Sequence, residues 1–313
     1  MIRIFRYAMV AAMTAVLAGA LSPALYAITP DLSPEQKDRP RSEKVPEAIA
    51  AVHKDFKFVK ERTLTVGIAA TNLLPLGAYA SDTRTVVGNE ADIAQIVADS
   101  LGLKLELVPI AWADWPLGLV SGRFDAVISN VTVTEARKEK FDFSTYRQDV
   151  LGFYVKSDND KIKSIAEPKD VAGLKVIVSS GTSQEQILLN WLKQNKDAGL
   201  PPTDLQYYDD GAVRSLALQS GRADTYLTPN AFEAFNAAQT GKTRLVGTVK
   251  GGWPLDAEIA VVTRKGSGLA EAVTVALNAQ IKSGTYAKVL VRWGLSSEAI
   301  GQSRTNPPGL PKS

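Results

Sequence analysis

The chain of 313 residues has no cysteine, one histidine, His53, and three methionines. Without cysteine there is no disulfide, no thiolate zinc site and no thiol nucleophile. With a single histidine there is no histidine-based triad and no multi-histidine metal centre. The predicted metal site is therefore none, as is the predicted cofactor and the predicted catalytic residue. Strong charge of either sign is missing too. The formal net charge is +3, and two of the 36 basic residues, Arg3 and Arg6, lie in a segment with export features; without them 34 bases face 33 acids. No basic stripe interleaved with aromatics runs along the chain, so no nucleic-acid partner is expected. His53 sits in a polar lead segment and reads as a solvated surface residue.

What is present is an ordinary apolar fraction, 45 %, enough for one large or two modest domains. MIRIFRYAMVAAMTAVLAGALSPALYA opens the chain with a basic start, a short apolar run and a small-residue exit. That is the pattern of a signal peptide, residues 1–27, cut near Ala27 or Ala24; an uncleaved anchor is the alternative. Residues 28–59, rich in proline and charge, form an N-terminal arm with a short helical stretch, VPEAIAAVHKDF. TLTVGI (63–68) reads as the first strand. Ile93, Ile96, Val97 and Leu101 recur at helical spacing after Gly88, with Gly102 placed as a C-terminal cap, and KLELVP follows as a strand. Strand, helix, strand predicts an α/β fold with a largely parallel sheet.

LGLVSGRFDAVISN (117–130) and LALQSGRADTYLTPN (216–230) repeat one construction: an apolar helix end, Ser-Gly, Arg-x-Asp and a short strand. Either the chain has two lobes of like design or the corner is one common to α/β proteins. Between them LKVIVSSGTSQEQILLNWL (174–192) runs a strand into Ser-Gly-Thr-Ser and a helix. Further on, residues 269–294 read as two helices broken at Ser283-Gly284, and TNPPGLP as an extended tail.

Ligands of open α/β sheets gather at the carboxyl ends of strands, beside helix N-termini. In SNVTVTEARKEKFDF (129–143) Thr134 is placed to cap a helix, with Glu135 in its first turn. Arg137 falls one turn in, while Lys138, Glu139 and Lys140 read as a solvated face. A guanidinium there grips a carboxylate with two parallel hydrogen bonds, or it pairs with Glu135 or Asp142. Ser180-Gly181-Thr182-Ser183 is the second such end. It offers amides to an anion, or it is an N-cap without a ligand.

The order TLTVGI, GNEADIAQIVADSLGLKLELVPI, LVSGRFDAVISNVTVTEARKEKFDFS, LKVIVSSGTSQEQ, QSGRADTYLT, AEIAVVTRKGSG and SGTYAKVLVRWG resembles the extracellular solute-binding proteins of polar-amino-acid ABC transporters, bacterial family 3. The resemblance covers roughly residues 60–295. It implies a periplasmic-binding-protein-like α/β fold: two α/β lobes joined by a two-strand hinge, with the ligand cleft between them. Lobe one would be 60–150 plus 256–313, and lobe two 151–255. It implies that Ser129, Asn130, Thr132 and Arg137 bind the main-chain end of a small carboxylate-bearing ligand, an amino acid or derivative, with Thr182 and Ser183 doing so from lobe two. Implied, too, are a periplasmic location, a monomer, and an ABC transporter permease of the inner membrane as partner. Two positions depart from the family. Where it has an acid for the ligand ammonium, this chain has Pro229, flanked by Thr228 and Asn230. Where it has an aromatic after the first strand, this chain has Asn72, with Trp112 and Trp115 as substitute lid or as core. Glu90, by contrast, stands after Gly88 where the family often has an acid, and either meets a cation or faces solvent. The ligand is thus expected to keep a carboxylate without being a standard α-amino acid. A periplasmic dehydratase of the cyclohexadienyl type, on the same scaffold, is the alternative function, with Glu90 or Glu233 as its general acid.

Overall fold

The computed structural model describes residues 30–69, 74–208 and 210–312. The expected signal peptide, residues 1–27, and Asn72 lie outside them. No helix among the described residues is long and apolar enough to cross a membrane.

The arm carries α1 (Pro46–Ala51) and leads into β1 (Thr63–Ile68). A two-residue pair, β2 (Ala78–Tyr79) and β3 (Val86–Val87), precedes α2 (Asn89–Ser100) and β4 (Lys104–Pro109). Then come α3 (Trp115–Val120), β5 (Ala126–Thr132), α4 (Glu135–Lys138) and β6 (Phe141–Gln148). The chain crosses to a second set: β7 (Val150–Lys156), β8 (Lys175–Val178), α5 (Ser183–Asp197), β9 (Asp204–Tyr207), α6 (Gly211–Gln219), β10 (Thr225–Pro229), α7 (Asn230–Thr240) and β11 (Thr243–Lys250). It returns through residues 251–257 to β12 (Glu258–Arg264), α8 (Ala270–Ser283) and α9 (Thr285–Arg292).

The strands make two five-stranded sheets, ordered β4-β1-β5-β12-β6 and β11-β7-β10-β8-β9. Each has a parallel half, β4-β1-β5 and β10-β8-β9, as the βαβ rhythm requires. Four of the five strands in each run the same way, as a largely parallel sheet requires; the exceptions are β12, antiparallel to both β5 and β6, and β7, antiparallel to both β10 and β11. The reason is the double crossing. A chain that leaves one sheet and comes back must enter each sheet from the opposite end.

Every inward position of β1 from Leu64 to Ile68 is buried, and α2 lays Ile93, Ala94, Ile96 and Val97 against it. A second cluster in the other lobe centres on Phe153 and Trp191, whose rings stack at 5.5 Å. Trp115 belongs to a third cluster under α3, with its ring 4.8 Å from that of Phe141, so it is core rather than lid. Helix α1 stops at Ala51, short of the expected Phe56. Val52 turns extended, and His53 is drawn to Gly268, whose carbonyl accepts from its N–H at 3.4 Å.

The crossings are themselves tied together. Asp149 donates its N–H to the Ala257 carbonyl at 2.9 Å and accepts at its own carbonyl from Gly251 N–H at 2.8 Å. Across the gap, Ala231 and Phe232 at the start of α7 pack into the first lobe's main cluster, the one with Leu74 and Tyr146. The two lobes therefore also touch through α7.

Candidate functional site

Helix α4 has only four residues and no buried one, so it cannot hold itself in place. Its cap and the chain's tail do so. Thr134 Oγ1 accepts from Arg137 N–H at 3.1 Å, the cap expected from the sequence. The extended tail runs beside it: Leu310 N–H donates to Val133 O at 3.0 Å, and Leu310 O accepts from Glu135 N–H at 2.8 Å. Gly309 N–H donates to the Glu135 carboxylate at 2.7 Å, and Lys138 Nζ donates to Pro307 O at 3.0 Å. Glu135 and Lys138 are thereby used on the tail side.

Arg137 is aimed the other way, at the second lobe. Its Nη1 donates to Thr132 O at 2.8 Å and its Nη2 to Gly181 O at 3.1 Å. Neither of the expected rivals takes it. Glu135 pairs with Lys138, and Asp142 with Lys265. Trp112 and Trp115 lie 5.6 and 5.9 Å from the guanidinium carbon and wall it on one side. Burial lowers its pKa to about 10, partly offset by Asp149, so it stays protonated at neutral pH. A guanidinium partly stripped of water, bonded to two neutral carbonyls and with N–H groups to spare, is short of an anion.

Opposite stands the N-terminus of α5. Thr182 caps the helix, its Oγ1 accepting from Glu185 N–H at 3.2 Å and donating to Ser179 O at 2.7 Å. Gly181 N–H goes to Glu185 Oε2 at 2.7 Å, so that amide is spent within the loop. The amides of Thr182 and Ser183 are the ones an anion would meet, at the positive end of a fifteen-residue helix. Ser183 Oγ lies 3.4 Å from Thr132 Oγ1 of the first lobe.

The other expected site residues are placed differently. Ser129 Oγ accepts from Ala69 N–H at 2.7 Å and secures the end of β1. Asn130 takes a left-handed backbone, φ 52°, a strain that asparagine bears better than most side chains. Its Oδ1 accepts from Arg147 Nη2. Glu90 does meet a cation, but one of the protein's own. It is buried, bonded to Tyr146 Oη, and its Oε1 is 3.4 Å from Arg147 Nη2. Arg147 also pairs with Glu298. Burial would depress the Arg147 pKa, yet the Glu298 and Glu90 carboxylates outweigh it and raise it. Burial pushes Glu90 up against the pull of Arg147. The side chains of Glu90 and Asn130 thus serve this buried cluster. Asn230, at the start of α7, accepts from Tyr154 Oη at 2.9 Å. Glu233 is buried and accepts from Asn236 at 3.0 Å and Thr243 at 2.7 Å.

The sequence reading passed over Asp149. It is 5 % exposed at the hinge and accepts from Thr132 Oγ1 at 2.7 Å. Burial pushes its pKa up to about 6. Its signal was an acid alone between two strand-forming runs, FDFSTYRQ and VLGFYVK, where a carboxylate needs a reason.

Known proteins share this plan. The chain is 33 % identical over 238 residues to the L-cystine-binding protein TcyJ of Escherichia coli strain K12, covering 75 % of this chain and 84 % of that protein. Among solved structures, an ancestral arginine-binding protein bound to arginine is 33 % identical with a TM-score of 0.64, over 74 % of this chain and 98 % of that one. An ancestral amino-acid-binding protein, a precursor of cyclohexadienyl dehydratase, is 30 % identical with a TM-score of 0.62, over 74 % of this chain and 94 % of that one. The family model for bacterial extracellular solute-binding proteins, family 3, matches residues 64–296. With two five-stranded α/β lobes joined by two crossings, and a match over most of its length, this chain belongs to the bacterial extracellular solute-binding proteins of family 3.

Proposed function

We propose that the protein is the exported, periplasmic binding component of an ABC transporter, which takes up a small carboxylate-bearing solute between its lobes and hands it to a membrane permease. The observation that carries this reading is the position of Arg137 directly across from the Gly181–Ser183 end of α5. A carboxylate entering there accepts from the guanidinium on one lobe and from helix-start amides on the other. Each charge-assisted hydrogen bond is worth about 1.5–3 kcal/mol. Those bonds form together only when the lobes are shut, so the ligand draws the closed state by its higher affinity for it. We place the lobe boundaries near residues 150 and 256, at the two crossings. Trp112 flanks the guanidinium, and Thr132, Thr182 and Ser183 complete the grip.

The relatives' names favour an amino acid or derivative as ligand and a binding rather than catalytic role. Glu90 and Glu233, the acids that a dehydratase reading calls on, are engaged by donors of their own chain. A thermal-shift screen over amino acids, organic acids and amines tests the proposal, since a ligand of the native state raises the melting temperature by mass action. A carboxylate-bearing solute is expected to stabilise the wild type and not Arg137→Ala. Response by amines alone, or consumption of a cyclohexadienyl substrate, refutes it.

A further inference from the structure

Residues 304–311 follow the stretch that the family model matches, 64–296, and run extended along the first lobe to the returning crossing. Two points pin them to that lobe. Asn306 N–H donates to Phe143 O at 2.9 Å, and Leu310 is bonded through its N–H to Val133 and through its carbonyl to Glu135. Between those points stand Pro307 and Pro308, whose rings fix φ and remove two donors, so the span is stiff and cannot coil into a helix. The Leu310 side chain lies on Gly252: an added Cβ on that glycine would overlap Leu310 Cδ2 and stand 3.0 Å from its Cγ.

Gly252 belongs to the second lobe's side of the crossing. It opens a tight turn in which Leu255 N–H donates to its carbonyl at 2.9 Å. The next residue, Trp253, packs against the second lobe's core cluster, its ring edge-on to that of Trp191 at 5.1 Å. Trp191 lies on α5, the helix whose first residues face Arg137. At the other end of this chain of contacts is α4, which the tail clamps through Glu135 and Lys138. Packed groups thus link α4 to α5 on the hinge side by way of Leu310, Gly252, Trp253 and Trp191. The tail's other tie near the crossing, Arg304 to Glu258 at 2.9 Å, stays within the first lobe. Beside it a cavity of about 370 Å³ is lined by Pro307 and Pro308 and by Gln148, Asp256 and Ala257 of the crossings. The crossings therefore have room to turn, whereas the leucine contact has to break if Gly252 moves away with its lobe.

We infer that residues 304–311 are a strap that latches the lobes in the shut arrangement through Leu310 on Gly252. This goes beyond the receptor reading, since it concerns the hinge whichever solute enters. Shut lobes cover the leucine methyl groups with the glycine, and swinging the second lobe away gives them to water. Glycine is needed at that point because a side chain would lift the strap. A latch that raises the shut fraction lowers the apparent dissociation constant of a solute held by the shut lobes by up to the same factor.

The chain has no cysteine, so Arg123→Cys on the first lobe and Lys196→Cys on the second, both exposed, take one spin label each. Pulsed electron paramagnetic resonance then reads the lobe-to-lobe distance with no solute added. Leu310→Ala keeps both backbone hydrogen bonds of the strap and removes part of a half-buried side chain, which predicts an open-to-shut ratio about fivefold higher. Gly252→Ala drives a methyl into the leucine and should move the ratio at least as far in the same direction. With both substitutions together the methyl takes the space the leucine leaves, and most of the shift should be undone. A tail that only props the first lobe would lower the melting temperature of these variants and leave the distances alone. Wild-type distances in both single variants, a shift toward shorter ones, or a double variant whose losses add, overturn the strap. The receptor reading stands or falls separately, by the thermal-shift screen on the wild type.

Discussion

Before β5, Asp125 donates its N–H to Thr65 O at 2.8 Å, and its Oδ2 accepts from Thr65 N–H at 2.9 Å. Before β10, Asp224 donates its N–H to Lys175 O at 2.9 Å, and its Oδ2 accepts from Lys175 N–H at 2.8 Å. Both follow a glycine in the left-handed region, Gly122 at φ 74° and Gly221 at φ 73°. The repeat read from the sequence is thus one mechanical device used twice. An aspartate clasps the neighbouring parallel strand at its first pairs and sets the register of β5 on β1 and of β10 on β8. Past the strands the lobes differ. The exit of β5 leads through Thr132 to Arg137, and behind it the first lobe buries Arg147, Glu90, Glu298 and Asp149. The exit of β10 ends at Pro229 and enters α7 at once; the acid buried there, Glu233, has neutral partners. The corner repeats because it solves a backbone problem common to both lobes. The charge does not: only the first lobe carries a guanidinium at that exit.

That contrast can be broken at several points. Arg147→Ala should cost about 3–5 kcal/mol in urea unfolding, because it strands two buried carboxylates; a loss below about 1 kcal/mol would mean that the charged interior of the first lobe is dispensable. Arg137→Ala should weaken carboxylate ligands about 100-fold or more and move stability by less than about 1 kcal/mol, since its own partners are carbonyls. A large stability loss with affinity retained would assign it to the scaffold.

Asp149→Asn has a pH signature in the empty protein. Its folded pKa, about 6, lies above the ordinary 3.8, so the fold favours the protonated acid. That contribution is whole below about pH 3.8 and is lost as the pH rises through 6, reaching about 3 kcal/mol at most. The variant should therefore be more stable than wild type near pH 7 and lose that advantage near pH 4. A variant less stable at both would make Asp149 a structural acid. The smallest difference compares the corners. Asp125→Ala should cost about 2 kcal/mol and Asp224→Ala about 1 kcal/mol, because Asp125 is buried and also accepts from Val59 N–H at 2.9 Å. Equal costs would show that the clasp alone, not its burial, sets the value.

Much of the scaffold was legible because its cues are local. The strands at 63–68 and 104–109, the helix ending at Gly102, the cap at Thr134 and the break at Ser283-Gly284 each rest on neighbours a few residues apart. The prominence of Arg137 over its lysines followed from its distance to that cap. The one reversed strand of each sheet, β12 and β7, was not legible, since it depends on where the chain enters after a crossing. Trp115 was ambiguous because an aromatic beside a helix start suits core and cleft equally, and only the Phe141 ring across from it decided the matter.

The amino-acid sequence by itself determined the elements, the repeated corner and the two strand ends that lead to Arg137 and to the Thr182 cap, because periodicity, caps and glycine turns act over one or two helical turns. Only the tertiary structure decided what those ends face. Arg137 and Gly181 meet across 44 residues of chain, Arg147 and Glu298 across 151, and Asp149 acquires its raised pKa from burial that no neighbour in sequence supplies. Electrostatic free energy depends on distance and desolvation in space, and the linear order of residues carries neither.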